Sequence, residues 1–387
     1  MFQMSVGGGF VIGGEGGIKR HLKIKTPTIE EKNMRVDIKK ILEMMPEKNA
    51  SDLHIGAGSV MHYRIDDKLT EINDEPLSPE EAKNIIYSLM SDVQIAKFEK
   101  DKELDFSLAL ENVARFRCNT FFQRNHVGCA IRLIPLSIMT LSECGLPLEV
   151  MQRFCSAQRG LVLVTGATGS GKSTTLAAMV EEINRKRDCH IVTVEDPIEF
   201  VHANKKAIID QRQLSEDTNS FGEALRHVLR QDPDVILIGE LRDLDTIQEA
   251  MIIADTGHLV LGTLHTSDSI QTINRIVDVF PAHQQRQIRT QLSFVLVGIL
   301  AQQLVPRKDQ KGRVLSAEVL VSTPAVRSMI RDAKEHQIYS IIQTSQKFGM
   351  KTMNQALAEL YAKNVVSYDE ILSRSSDVEE LIKLIGG

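Results

Sequence analysis

The segment GATGSGKS at 166–173 constrains the fold more than any other part of the chain, because a β-branched run at 161–165 precedes it and helical spacing follows. It satisfies G-x-x-x-x-G-K-S in the strand-to-helix context that this motif requires. The glycines let the backbone turn tightly and point successive N–H groups inward, and the following helix adds its positive end. A triphosphate is then held mostly by main chain. Gly166, Ala167, Thr168, Gly169, Ser170 and Gly171 are the expected cradle. Lys172 is expected to reach the β and γ phosphates and the Ser173 hydroxyl to bind Mg²⁺, while Thr174 opens the helix near the α phosphate. ATP with Mg²⁺ is the expected ligand.

The residues around this loop predict an α/β domain. Short apolar runs at 161–165, 191–194, 235–238 and 259–262 alternate with helical patterns such as Phe221, Leu225, Val228 and Leu229. Strand and helix in alternation imply a parallel sheet covered on both faces, with ligands at the carboxyl ends of the strands. Residues 36–138 read differently, as a helical opening followed by short alternating segments, which predicts a smaller α+β domain. Pro135, Gly145 and Pro147 mark the boundary, and Leu148, Met151, Phe154 and Cys155 at helical spacing predict a bridging helix within 139–159. The α/β core is expected over 160–323 and a helical region over 324–387. Residues 1–35 are expected to be a flexible glycine-rich tail with a small basic cluster, Lys19, Arg20, Lys23 and Lys25.

Lysine alone hydrolyses nothing, so the acids at the strand ends matter. The run at 191–194 ends in EDPIE, which brings Glu199 to the phosphate edge, with Pro197 stiffening the turn. In DPDVILIGELRD at 232–243, Asp232 and Asp234 precede the strand and so lie at its far end. Glu240 follows the strand past Gly239 and is the best placed of the four acids to orient and deprotonate an attacking water. Asp243 is explained by the dipole of the next helix. Of two histidines in TGHLVLGTLHTSDS, His258 precedes a strand and His265 follows it. His265 is therefore the expected sensor of the γ phosphate, with capping of the helix near Asp268 as the alternative.

Composition excludes several other classes. The chain has 387 residues with 46 Lys and Arg against 51 Asp and Glu, a formal net charge of −5, which gives no support to a nucleic-acid surface covering the molecule. Its five cysteines form no C-x-x-C pair, so a tetracysteine zinc site is not expected. The longest apolar run, FVLVGILA, falls far short of the roughly 20 residues of a membrane span. The glycines of the opening segment do not suit an export signal.

Together GATGSGKS, TVEDPIEF, DPDVILIGELRD and TGHLVLGTLHTSDS, in this order, resemble the Walker A, acidic, Walker B and histidine boxes of the secretion-superfamily hexameric ATPases. ASDLHI near the start, and AVRSMIR, QIYSIIQT and GMKTMN near the end, are similar to the branch that retracts type IV pili. The resemblance implies a PAS-like N-terminal domain joined to a RecA-like P-loop ATPase domain, assembled as a homohexamer in the cytoplasm at the inner-membrane base of a pilus machine. It implies that Lys172 and Ser173 bind MgATP, that Glu240 is the general base, and that Glu199 assists at the metal or water. His258 and His265 would couple nucleotide state to ring shape. Arginines of the N-terminal domain would complete the site, for which Arg115, Arg117, Arg124 and Arg132 are candidates, Arg117 and Arg132 foremost. The implied partners are the inner-membrane platform protein of the pilus and an accessory retraction ATPase, with peripheral membrane association only and no nucleic acid. A pilus-assembly or type II secretion ATPase, a low-turnover accessory subunit and a RecA-like nucleic-acid motor are the alternatives. The family often has Glu where Asp245 stands.

Overall fold

The computed structural model describes residues 36–65, 68–110, 113–134, 137–309 and 312–386. The glycine-rich tail, its basic cluster and Pro135 lie outside the described residues. The chain divides into two compact units between Leu136 and Ser137.

The first unit opens on α1 (Ile38–Glu47), whose N-cap Asp37 accepts from Lys40 N at 3.2 Å. Strands β1 (Ala50–Gly56), β2 (His62–Ile65) and β3 (Lys68–Glu71) follow, then helices α2 (Pro79–Ser88) and α3 (Asp92–Asp101). Serine capping boxes at Ser78 and Ser91 start both of these helices. Strands β4 (Glu103–Leu110), β5 (Ala114–Gln123) and β6 (His126–Ile134) complete an antiparallel sheet in the order β3-β2-β1-β6-β5-β4. Strict alternation along β5 buries Phe116 and Cys118 and turns Arg115 and Arg117 to the other face. Arg117 stands opposite Arg132 in register, and each has an acid at hand: Asp105 at 3.7 Å and Asp52 at 2.9 Å. Arg115 Nε is buried without a hydrogen-bond partner, and Arg124 sits in the β5–β6 turn with φ 48°.

The second unit carries the phosphate motif. Helix α4 (Leu148–Ser156) packs Val150, Met151, Phe154 and Cys155 beneath the sheet rather than standing apart as a bridge. Next come β7 (Gly160–Thr165), α5 (Lys172–Lys186), β8 (His190–Glu195), β9 (Ile208–Gln213), α6 (Phe221–Val228), β10 (Val235–Ile238), α7 (Leu244–Asp255) and β11 (Leu259–Leu264). Helices α8 (Ser269–Asp278) and α9 (Ala282–Val295) lead into a ribbon, β12 (Leu296–Pro306) and β13 (Arg313–Val321). The sheet order is β13-β12-β7-β11-β10-β8-β9, parallel except for the antiparallel edge strand β13. Alternate residues feed two separate cores: Leu161, Leu163, Val192, Val194, Ile236 and Ile238 on one face, and Val162, Val164, Ile191, Val235 and Leu237 on the other. Burial on both faces is what makes these strands read as unbroken apolar runs. Helices α10 (Pro324–Arg331), α11 (Ile338–Thr344), α12 (Met353–Ala362), α13 (Tyr368–Arg374) and α14 (Val378–Gly386) end the described chain. Among the described residues no helix is long and apolar enough to cross a membrane.

This is the expected fold class, a RecA-like α/β domain and a smaller α+β domain. The sequence reading omitted β9 and the β12–β13 ribbon, and read the apolar run at 294–301 only as too short for a membrane span.

Candidate nucleotide site

The site grows from the carboxyl edge of the parallel sheet. As β7 ends, Gly166, Gly169 and Gly171 take φ of 143°, 78° and 90°, in the region that side chains avoid. A Cβ on Gly166 would drive into the carbonyl oxygen of Gln302 and the Ser170 hydroxyl, so the loop lies flush against β12. Helix α5 starts at Lys172 behind Gly171, with no side-chain cap and no acid in its first turn. Its exposed amides and dipole therefore favour an anion. Lys172 Nζ arches over the loop, donating to Gly166 O at 2.8 Å and Ala167 O at 3.1 Å. Ala167, Thr168 and Gly169 are exposed, Gly166 and Ser170 buried, and Gly171, Ser173 and Thr174 half-buried at the helix entrance.

Acids converge on this lysine. Burial pulls the Lys172 ammonium below the usual lysine value, against the opposing charges of Glu240 and Glu199. Glu240, just past β10, holds Arg242 Nη2 at 2.6 Å and His265 Nε2 at 3.4 Å. Burial alone would push its carboxyl up; the hydrogen bond and charge of Arg242, with His265, outweigh that and hold it below the ordinary carboxylate range. The chain around Glu240 is fixed by Leu241 N donating to Thr263 O at 2.9 Å and Thr263 Oγ1 donating to Gly239 O at 2.5 Å. Glu199 is exposed in the loop after β8. Its neighbour Glu195 accepts from Thr193 Oγ1 at 2.7 Å and Gln211 Nε2 at 3.1 Å, yet burial still pushes its carboxyl up.

The other acids and histidine occupy the opposite edge or the helix starts. Asp234 accepts from His190 N at 2.8 Å, and the carbonyl of Asp232 meets His190 Nδ1 at 3.1 Å, both at the amino ends of the strands. Asp243 is the N-cap of α7, accepting from Thr246 N at 2.8 Å. Asp268, not His265, caps α8. His258 is tied to the end of α7 through Ile253 O at 3.2 Å, remote from the phosphate loop along β11. The structure thus brings together Lys172, Glu199, Glu240 and His265. Arg117 and Arg132 belong to the first unit.

Three residues that sequence reasoning left without a role also shape the site. Arg242 pairs with Glu240. Gln302, buried on β12, donates from Nε2 to Ser170 O at 2.7 Å and accepts from Thr175 Oγ1 at 3.0 Å, tying the loop at Ser170 to the first turn of α5. Glu318, buried on β13, accepts from Ser269 N at 2.8 Å. The one available signal for Gln302 was a pair of glutamines interrupting an apolar run.

Among the described residues no cluster of three or more His, Cys, Asp or Glu forms a metal cage. One half-buried hydroxyl, Ser173, with the carboxylates facing Lys172 is instead a donor set that suits Mg²⁺ bound together with phosphate oxygens and water.

Comparison with known proteins places this site in a family. The model of the type II/IV secretion system proteins matches residues 29–373. The type IV pilus retraction ATPase PilT of Pseudomonas aeruginosa is 47% identical over 332 residues, covering 86% of this chain and 96% of that protein. The type IV pilus ATPase PilU of the same organism is 39% identical over 350 residues, covering 90% and 91%. The crystal structure of the pilus retraction motor PilT with bound ADP superposes with a TM-score of 0.85 at 45% identity, covering 90% of this chain and 100% of that one.

Proposed function

The chain belongs to the type II/IV secretion system protein family and is an ATPase, and from that premise we propose that it powers type IV pilus retraction as a homohexameric motor. The reading is supported by the near full-length similarity to PilT, joined to a phosphate loop that faces Glu240, Glu199 and His265 at one sheet edge. In this proposal the motor works in the cytoplasm, peripherally at the inner membrane, on the platform protein of the pilus. An accessory ATPase of the PilU kind works beside it, and nucleic acid has no part.

The chemistry follows from the residues. In this reading the phosphate loop and Lys172 hold ATP, and Ser173, Glu199 and Glu240 would hold Mg²⁺, which when bound would neutralise charge on the phosphate oxygens. Glu240 orients the attacking water. A carboxylate kept ionised by Arg242 is a weak base, which suits a loose phosphoryl-transfer transition state in which the water's proton leaves late. His265, beside Glu240, meets the γ phosphate. Arg117 and Arg132 supply positive charge to the transition state, an effect worth roughly 10³ to 10⁵ in rate where such an arginine operates.

Similarity to PilU favours a second reading, a low-turnover accessory subunit. Deleting the gene in its host separates the readings. A retractor's loss leaves cells heavily piliated but unable to twitch, and wild-type chain restores twitching. Bald cells would replace the proposal with an assembly ATPase, and purified protein that releases no phosphate from MgATP would replace it with the accessory one.

A further inference from the structure

The β12–β13 ribbon grips both halves of the nucleotide site, one from each of its faces. Gln302 is paired with Ala317 and Ala301 with Glu318, so the two polar side chains occupy consecutive positions and point to opposite sides. On one side Gln302 holds Ser170 O and Thr175 Oγ1. On the other, Glu318 holds the first amide of α8 at Ser269 N. Residues 265–268 are all that separates β11 from this anchored amide. The short loop has little slack, since Thr266 Oγ1 also meets Thr272 Oγ1 at 2.6 Å and Thr272 Oγ1 donates to Asp268 O at 2.7 Å. Both clamps are buried polar groups whose only reward is a fixed geometry, because a buried side chain of this kind without its partner costs free energy. The ribbon continues into the C-terminal helices: Val319 and Lys351 exchange backbone hydrogen bonds at 2.8 and 3.2 Å, just before α12.

We propose that Gln302 and Glu318 are positioning residues, and that the ribbon sets the phosphate loop and the histidine loop in register with one another. Gln302 then governs nucleotide affinity and Glu318 governs turnover. The second half rests on the reading of His265 as the residue that meets the γ phosphate.

The test is steady-state ATPase kinetics, nucleotide affinity and thermal unfolding of the full chain. Misplacing a reacting group by an ångström costs up to about 10²-fold in rate, so Glu318→Ala is expected to lower kcat roughly 10- to 100-fold with KM within about twofold. Glu318→Gln keeps an acceptor for Ser269 N and should restore most of kcat. Gln302→Ala should raise KM and weaken nucleotide binding about tenfold while leaving kcat close to wild type. Ser269→Pro attacks the same hydrogen bond from the other side, since proline is tolerated at the first position of a helix and carries no N–H. It should reproduce the kcat loss even where Glu318→Ala fails to fold. Ile330→Ala, a cavity variant in the same apolar layer, is the control for stability alone and should lower the unfolding midpoint without the kcat loss.

Wild-type kcat in Glu318→Ala and Ser269→Pro, or the same kcat loss in Ile330→Ala, overturns the proposal. His265→Ala distinguishes this from a failure of the underlying reading. If His265→Ala is slow and the Glu318 variants are not, the ribbon inference is wrong. If His265→Ala turns over normally, the assignment of His265 falls, and with it the turnover role of Glu318.

Discussion

Glu240 lies between the Arg242 guanidinium at 2.6 Å and the His265 ring at 3.4 Å, and these neighbours set both its role and its titration. Glu240→Gln keeps the shape and removes the charge. It is expected to retain ATP binding and to lose hydrolysis by at least about 10²-fold, the lower end of what general-base loss costs; wild-type phosphate release from the variant would reassign the base. Arg242→Ala tests the cause of the lowered pKa. Burial disfavours the charged carboxylate while Arg242 and His265 favour it, so removing Arg242 lets the folded pKa rise. A group that must be ionised then protonates at higher pH, and the acid limb of the kcat profile moves upward. A limb that stays put, or moves down, would show that Glu240 does not limit activity in acid. At this scale the sequence was informative where position on a strand decided the matter, as with Asp232, Asp234 and Glu240. It was silent where a partner decided it: Arg242 two residues beyond Glu240 reads as any exposed arginine, and Gln302 gains its meaning only once Ser170 and Thr175 are known to lie against it.

Among the elements, β12 carries the tightest constraint. Gly298 stands where α4 crosses the ribbon, and a Cβ there would run into the ring of Phe154, with Leu320 O also too close. Phe154 is fully buried and has nowhere to retreat. Gly298→Ala is therefore expected to destabilise the second unit by about 1–3 kcal/mol through overpacking, measured by denaturant unfolding. Phe154→Leu in the Gly298→Ala background should recover part of the loss, and additive losses would show that the two do not collide. This crossing also explains why the ribbon escaped sequence analysis. The run at 294–301 is apolar without a period because β12 is buried on both faces, and such a run cannot be told from a buried helix. The strand β9 was missed for the opposite reason: IIDQRQ at the sheet edge is mostly polar. The four strands that were found share β-branched residues bounded by turn signals, and α4 was legible from its spacing, although it packs as part of the second core instead of bridging.

For the molecule as a whole, the proposal of a ring makes the N-terminal arginines decisive. The Arg132 side chain is 68% exposed and pairs with Asp52, whose side chain is 13% exposed and keeps a second donor in Ser51 Oγ at 2.8 Å; a pair open to water on the arginine side contributes on the order of 1 kcal/mol to stability. Arg132→Ala should therefore leave the fold intact, so that any large loss of ATPase activity reports on the transition state. Arg117, 3.7 Å from Asp105 and also partly exposed, permits the same separation. Whether such an arginine serves its own subunit or the next is then a question of complementation. Lys172→Ala removes the phosphate-loop cation and keeps the arginine, while Arg132→Ala does the reverse. Each alone should be inactive as a homomeric assembly. If the arginine acts across a subunit boundary, co-assembled mixtures regain activity, because an intact phosphate loop from one parent can meet an intact arginine from the other. Activity should peak at intermediate ratios and vanish at either end. If the arginine acts within its own subunit, every site in the mixture lacks one part or the other, and phosphate release stays at the level of the parents at every ratio. Activity that Arg132→Ala retains on its own would remove Arg132 from the site and leave Arg117 as the residue to carry through the same mixing series.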